Sequence, residues 1–183
     1  MFRLCACCHG PVDFINAVEL FLALGSPVRQ ITTATSPVLP CVIQLLVPFI
    51  TQTGLGLRKE LSVYGNDYAT PDGTAVRDYI HVVDLADAHV KALSFLFEKP
   101  LDFYEVFNVG TGRGNTVLEV IHAFEKVNGL QLAYEIGPRR AGDVVKTWAD
   151  TTKINQVLGW YPKFSLEDCM KDSWRWQLTL ASK

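Results

Sequence analysis

An α/β fold is what this sequence predicts, and three observations predict it. Short runs of β-type residues at Leu61–Tyr64, Tyr104–Val109 and residues 131–136 alternate with segments whose apolar residues recur at helical spacing. Helix-start signatures stand where the later helical segments open: Thr116 with Glu119, and Ser165 with Asp168, both have the spacing of a capping box. Composition agrees, because 49% hydrophobic and 20% charged residues over 183 positions is ordinary globular usage with enough apolar material for one core. A net charge of −2 and a pI near 6.1 offer no basic field, so nucleic acid is not an expected partner.

The first 44 residues fit this pattern least. Cys5, Cys7, Cys8 and His9 are soft or borderline metal ligands, but no second pair follows to close a tetrahedron, so incidental or buried thiols are expected and a metal site is not. Five cysteines, an odd number with three bunched together, argue against a disulfide framework and for a reducing, cytoplasmic compartment. Residues 17–24 are apolar, yet Asp13 and Glu19 interrupt the region and no small-residue cleavage pattern follows; no secretion signal is read. Without clean periodicity, residues 1–44 are expected to be an atypical, poorly ordered segment, the alternative being a genuine helix at residues 12–24. Residues 45–183 then make the folded domain.

Residues 38–57 carry no charge, and their length alone would allow a membrane span. Two prolines and two glutamines point instead to a helix starting near Leu45, with Leu46, Phe49 and Ile50 inward and Gly54 and Gly56 ending it. After Leu61–Tyr64, the clusters Gly65-Asn66-Asp67 and Pro71-Asp72-Gly73 are turn chemistry. The loop they form delivers Arg77-Asp78-Tyr79 onto a second apolar run at residues 80–83, read as a strand. Asp84 is expected to cap a helix carrying Leu85, Ala88, Ala92 and Leu96. Arg77 suits a bidentate grip on phosphate, or else it pairs with Asp78 or Asp84.

Tyr104–Val109 runs into Gly110-Thr111-Gly112-Arg113-Gly114, which invites a dinucleotide reading. The fingerprint G-x-G-x-x-G is off by one, since position 115 is Asn, and a structural strand-to-helix turn is the expectation. Val117, Leu118, Ile121, Phe124 and Val127 trace a buried helix face. Residues 138–143, PRRAGD, place two arginines beside an aspartate, a set suited to phosphate and ribose or to a solvated loop. Further on, Asp150 or Thr151 should cap a short helix with Ile154, Val157 and Leu158 inward and Gly159 at its end. In the last helix Leu166, Cys169, Met170, Trp174 and Trp176 supply the inward bulk, with Phe164 stapled onto Cys169.

ELSVYGNDYATPDGTAVRDYIHVVDLADAH at residues 60–89, FNVGTGRGNTVLEVIHAFEKVNG, PRRAGDVVKTWADTTKINQVLGW and the closing SWRWQ together resemble the UDP-glucose 4-epimerases, which are extended short-chain dehydrogenase/reductases. The likeness runs from about Leu45 to Gln177 and covers only the carboxyl-terminal half of that family. It implies a fold: the carboxyl-terminal, substrate-binding part of an extended short-chain dehydrogenase/reductase, with the Rossmann half missing. It also implies nucleotide-sugar contacts at Leu46, Ser62, Val63, Tyr64, Arg77, Arg140 and Asp143, with the diphosphate at the arginines and a ribose hydroxyl near Asp143. Two departures weaken those contacts. Gln44-Leu45-Leu46 stands where the family has an Asn-Asn-Leu-type uridine contact, and Thr147 stands where it has a tyrosine.

The family's chemistry is UDP-glucose/UDP-galactose interconversion with tightly held NAD, often in homodimers. Epimerisation needs a nicotinamide to take a hydride and a tyrosine acidified by a lysine to take a proton. No G-x-x-G-x-x-G occurs in these residues, and none of the six tyrosines is followed by lysine four positions on. This chain alone is therefore expected to bind a UDP-sugar weakly, to hold no NAD and to be inactive. The alternatives are a non-catalytic nucleotide-sugar-binding module, or a fragment of another nucleotide-sugar dehydratase or decarboxylase.

Overall fold

The computed structural model describes residues 18–23 and 46–182, with only the backbone considered for 18–23. In chain order the elements are β1 (Val18–Ala23), α1 (Leu46–Gly54), β2 (Leu61–Tyr64), β3 (Val76–Arg77), α2 (Val82–Phe97), β4 (Tyr104–Val109), β5 (Asn115–Thr116), α3 (Val117–Asn128), β6 (Tyr134–Gly137), α4 (Thr152–Leu158) and α5 (Leu166–Ala181). Three two-stranded ladders form: β1 with β4 antiparallel, β2 with β6 parallel, and β3 with β5 antiparallel. Where residues 12–24 were given a helix as the alternative, the described part, Val18–Ala23, is a strand. The remainder of residues 1–45, including the cysteine cluster, lies outside the described residues.

Two apolar clusters make the core, and adjacent residues join them. Ile50 of α1, Leu61 and Val63 of β2, Tyr79, Phe124 of α3 and Met170 of α5 belong to the first. Ile80, Ala88 with Ala92 of α2, Phe107 of β4, Ile154 of α4 and Trp160 belong to the second. Tyr79 and Ile80 thus point to opposite clusters, as alternation along extended backbone requires. Within the first cluster Phe124 meets Trp174 edge-on at 5.6 Å, and the last residue of α1, Gly54, lies where an added Cβ would reach both rings within 3.3 Å.

Helix ends follow local chemistry. Pro48 falls in the first turn of α1, where an amide hydrogen has no helical acceptor to lose. Both expected capping boxes form, Thr116 with Glu119 on α3 and Ser165 with Asp168 on α5. Gly129 and Gly159 close α3 and α4 in the left-handed conformation, at φ 63° and 57°. Asp150 rather than Thr151 serves the start of α4, its Oδ1 accepting from Thr152 N at 3.0 Å.

Three details differ from expectation. Residues 80–83 are not a strand: α2 begins at Val82, and His81 is its N-cap, with Nδ1 accepting from Val83 N at 3.1 Å. Asp84, expected as the cap, lies inside the first turn, where its buried carboxylate accepts from Lys163 N and Phe164 N at 3.0–3.1 Å. Phe164 stacks on His81 at a centroid distance of 4.3 Å. Val157 and Trp176 stay largely exposed, because Ile154 with Trp160, and Cys169 with Met170, already fill the faces they were to occupy.

Candidate functional site

The parallel pairing of β2 with β6 sets the site. In register, Tyr64 faces Gly137, so the turn after β2 and the loop after β6 leave the ladder at the same end. Gly65 N donates to Gly137 O at 2.9 Å and extends the pairing one step further. The chain then returns through β3, which is clipped to the second loop: Val76 N donates to Val145 O at 2.9 Å and Thr147 N to Val76 O at 3.1 Å. Residues far apart in sequence are thereby gathered around residues 138–147.

Arg77 is oriented from two sides. Its Nη1 donates to Val76 O at 2.8 Å and Val144 O at 2.7 Å, and its Nη2 lies 3.4 Å from Asp143 Oδ1. Arg140 meets the same carboxylate, with Nε 3.1 Å from Oδ2 and Nη2 3.4 Å from Oδ1, and its guanidinium lies 4.7 Å over the Tyr64 ring. Side-chain exposure is 18% for Arg77, 17% for Asp143 and 47% for Arg140, so Arg140 is the more exposed of the two cations. One carboxylate between two guanidiniums leaves one net positive charge, a set suited to an anion carrying further hydrogen-bonding groups.

The structure therefore brings together Tyr64, Arg77, Arg140 and Asp143 of the residues named from sequence. Ser62 is exposed on β2, one residue from Val63, whose side chain is buried in the first core cluster, and Leu46 packs against that cluster from α1. The alternative in which Arg77 pairs with Asp78 or Asp84 is not what forms: its carboxylate partner is Asp143, which Arg140 shares. Asp78 faces the other way, buried, accepting from Thr111 N at 2.9 Å, Thr111 Oγ1 at 2.6 Å and Ala149 N at 3.1 Å.

That arrangement of Asp78 also decides the glycine-rich turn. Thr111 N is consumed by Asp78, Thr116 N by Glu119 Oε2 at 2.9 Å, and a Cβ on Gly110 would lie 2.3 Å from Asp78 Oδ2. These two amides face protein rather than a phosphate, as in a structural strand-to-helix junction. Sequence reasoning offered Asp78 only as a partner for Arg77 and did not foresee its buried bonds to Thr111 and Ala149, and it gave Arg139 no duty apart from Arg140.

Other chemistry is scarce among the described residues. No group of three His, Cys, Asp or Glu side chains could hold a metal ion there. Burial pushes the Cys169 thiol up to about 12, which removes it as a nucleophile at neutral pH. Burial likewise raises the Tyr79 phenol far above its ordinary range, against the pull of Arg77 and Arg140. Tyr79 therefore stays protonated. An open hollow of about 430 Å³ between β4 and α4, lined by Val106, Asn108, Asp150, Thr152, Lys153 and Gln156, shares no residue with the arginine cluster. No described helix is long and apolar enough to cross a membrane.

Comparisons with known proteins identify the family. The family model described as GDP-mannose 4,6 dehydratase matches residues 26–173. UDP-glucose 4-epimerase of Yersinia pestis is 52% identical over 132 residues, 72% of this chain and 38% of that protein. UDP-glucose 4-epimerase 3 of Oryza sativa subsp. japonica is 51% identical over 131 residues, 72% of this chain and 35% of that protein. Among solved structures, UDP-glucose 4-epimerase of Stenotrophomonas maltophila with NAD and formylated UDP-arabinopyranose superposes with a TM-score of 0.71 at 43% identity, covering 76% of this chain and 41% of that one. The Bifidobacterium longum enzyme in complex with NAD+ and UDP gives a TM-score of 0.68 at 45% identity, with 73% and 39% covered. The chain spans about two fifths of the length of these relatives. It belongs to the extended short-chain dehydrogenase/reductases of the UDP-glucose 4-epimerase type, and corresponds to their carboxyl-terminal part.

Proposed function

We propose that this chain binds a uridine diphosphate sugar at the Arg77–Arg140–Asp143 cluster, as the substrate-side part of a UDP-glucose 4-epimerase-like protein. The observation that carries the reading is the meeting of Arg77 and Arg140 on one carboxylate at the shared end of β2 and β6, beside Tyr64. Relatives bearing this fold hold UDP or UDP-sugars in their solved structures. A diphosphate entering the cluster receives charge-assisted hydrogen bonds from both guanidiniums. Asp143, released from part of that pairing, is left to accept from a ribose hydroxyl. Arg77, held by two backbone carbonyls, does not have to be ordered when the ligand arrives, which lowers the entropic cost of binding.

The relatives' reaction, interconversion at C4 of the sugar, needs NAD and a tyrosine/lysine pair. The glycine-rich turn lacks the fingerprint for the first, and no tyrosine in these 183 residues has a lysine four positions on to supply the second. The chain's own contribution is then to bind and orient the nucleotide sugar, and the 183-residue chain by itself does not turn it over.

A thermal-shift series with UDP, UDP-glucose, GDP and NAD tests this. UDP and UDP-glucose should raise the melting temperature in a concentration-dependent way, with GDP weaker and NAD without effect. No stabilisation by either uridine ligand would contradict the proposal, and equal stabilisation by GDP would favour a different nucleotide-sugar enzyme.

A further inference from the structure

We infer that Arg139 is a positioning residue that fixes Arg140 and Asp143 by clamping their loop to the turn after β2, and this rests on the nucleotide-sugar reading above. Two consecutive arginines leave β6 and take opposite duties. Arg140 reaches Asp143 and Tyr64. Arg139 reaches across to the other loop: its Nε lies 2.6 Å from Asp67 Oδ1, its Nη2 donates to the Asp67 carbonyl, and its guanidinium lies 4.1 Å over the ring of Tyr68. Asp67 takes up the charge of Arg139, so the charge left for an anion belongs to the Arg77 and Arg140 pair.

Gly65 shows how closely the clamp is fitted. It has a φ of +82°, and a Cβ built on it would come within 2.5 Å of the Tyr68 ring and 2.9 Å of Arg139 Cγ. A side chain at position 65 is therefore excluded by conformation and by the clamp together. Tyr68 is buried at 4% exposure and gives Arg139 a fixed platform. Because β2 and β6 are parallel and in register up to Tyr64 and Gly137, the clamp between Arg139 and Asp67 lies just beyond the end of the ladder and carries its alignment into both loops.

The Arg139–Asp67 ion pair is itself exposed, at 43% and 69% for the two side chains. Exposed pairs contribute little to global stability. Its effect should appear in the placement of Arg140 and Asp143, and so in ligand affinity rather than in melting temperature.

The test is UDP titration by calorimetry of the full chain and of Arg139→Ala, Arg139→Lys, Asp67→Asn and the Arg139→Ala/Asp67→Asn double variant. Arg139→Ala and Asp67→Asn should each weaken UDP binding by roughly three- to tenfold, the equivalent of one net hydrogen bond, with melting temperatures within about 2 °C of wild type. The double variant should be no weaker than the stronger-affected single, since both remove the same clamp. Arg139→Lys, which keeps the charge but not the planar stack, should recover part of the loss. UDP affinity indifferent to Arg139, losses that add in the double variant, or losses matched by a fall in melting temperature would each overturn the inference. A wild-type chain that does not bind UDP would instead overturn the nucleotide-sugar reading, and this inference with it.

Discussion

Arg77 and Arg140 share one carboxylate but not one structural burden. Arg77 donates to Val76 O and Val144 O as well as to Asp143, so it holds β3 against the loop, while half-exposed Arg140 holds only Asp143 and rests on Tyr64. Arg77→Ala should lower stability by about 1–3 kcal/mol through the loss of charge-assisted bonds to backbone carbonyls, whereas Arg140→Ala should stay within about 0.5 kcal/mol of wild type. Urea unfolding of the two variants measures the difference; equal effects would show that the two carbonyl contacts carry no stability. Sequence offered Arg77 and the pair Arg139-Arg140 as cations suited to phosphate, and it was the resemblance to the epimerases that chose Arg140 and Asp143 among them. It left Asp78 and Asp84 as candidate partners of Arg77, and only the fold resolves that choice: the backbone turns Asp78 toward Thr111 and Ala149, and Asp84 toward Lys163 and Phe164.

At the scale of elements, Thr116 joins the start of α3 to the turn ahead of β3. Its hydroxyl accepts from Glu119 N at 3.1 Å and donates to Asp72 Oδ2, while Asp72 Oδ1 accepts from Thr74 N at 2.9 Å and Thr74 Oγ1 at 2.8 Å. Partial burial works against ionised Asp72, but these hydrogen bonds prevail and hold its pKa below the ordinary 3.8. A depressed folded-state pKa adds stability that is fully present above the unfolded value and disappears as pH falls through the folded one. The acid limb of a stability profile below about pH 4 should therefore contain an Asp72 contribution, and it should be shallower in Asp72→Asn. Acid unfolding of the two proteins monitored by circular dichroism is the check, and superimposable limbs would refute it. Capping boxes were legible in the sequence because their geometry is local and set by spacing. The start of α2 was not, since choosing His81 over Asp84 as cap depends on amides at residues 163 and 164, about 80 positions away.

Over the whole molecule, the 183 residues contain no G-x-x-G-x-x-G and no tyrosine followed by lysine four positions on, the features on which the proposal of a binding part without turnover rests. The purified chain is expected to retain no NAD, seen as no cofactor absorbance after acid release, and to give no UDP-galactose to UDP-glucose conversion in a coupled assay. Turnover persisting in material free of host enzyme would contradict that expectation. The α/β class was readable because period-two and helical runs alternate with turn clusters, and the family was readable from separate motifs in the right order. Ladder partners were not. The β2–β6 parallel pair and the short β3–β5 pair join residues 38 to 73 positions apart, and no local pattern chooses between parallel and antiparallel pairing at that separation. Yet it is the β2–β6 register that brings Tyr64 and Arg140 to the same end and so assembles the candidate site.

The most direct measurement is the UDP affinity of the intact chain beside its Arg77→Ala and Arg140→Ala variants, by calorimetry at fixed salt. If both guanidiniums face the diphosphate, each substitution should weaken binding by roughly 1.5–3 kcal/mol, the range for hydrogen bonds to charged groups, and wild-type affinity should fall as salt is raised. Binding that both variants retain unchanged, or no measurable UDP binding by the wild-type chain, would contradict the assignment of this cluster to a nucleotide diphosphate.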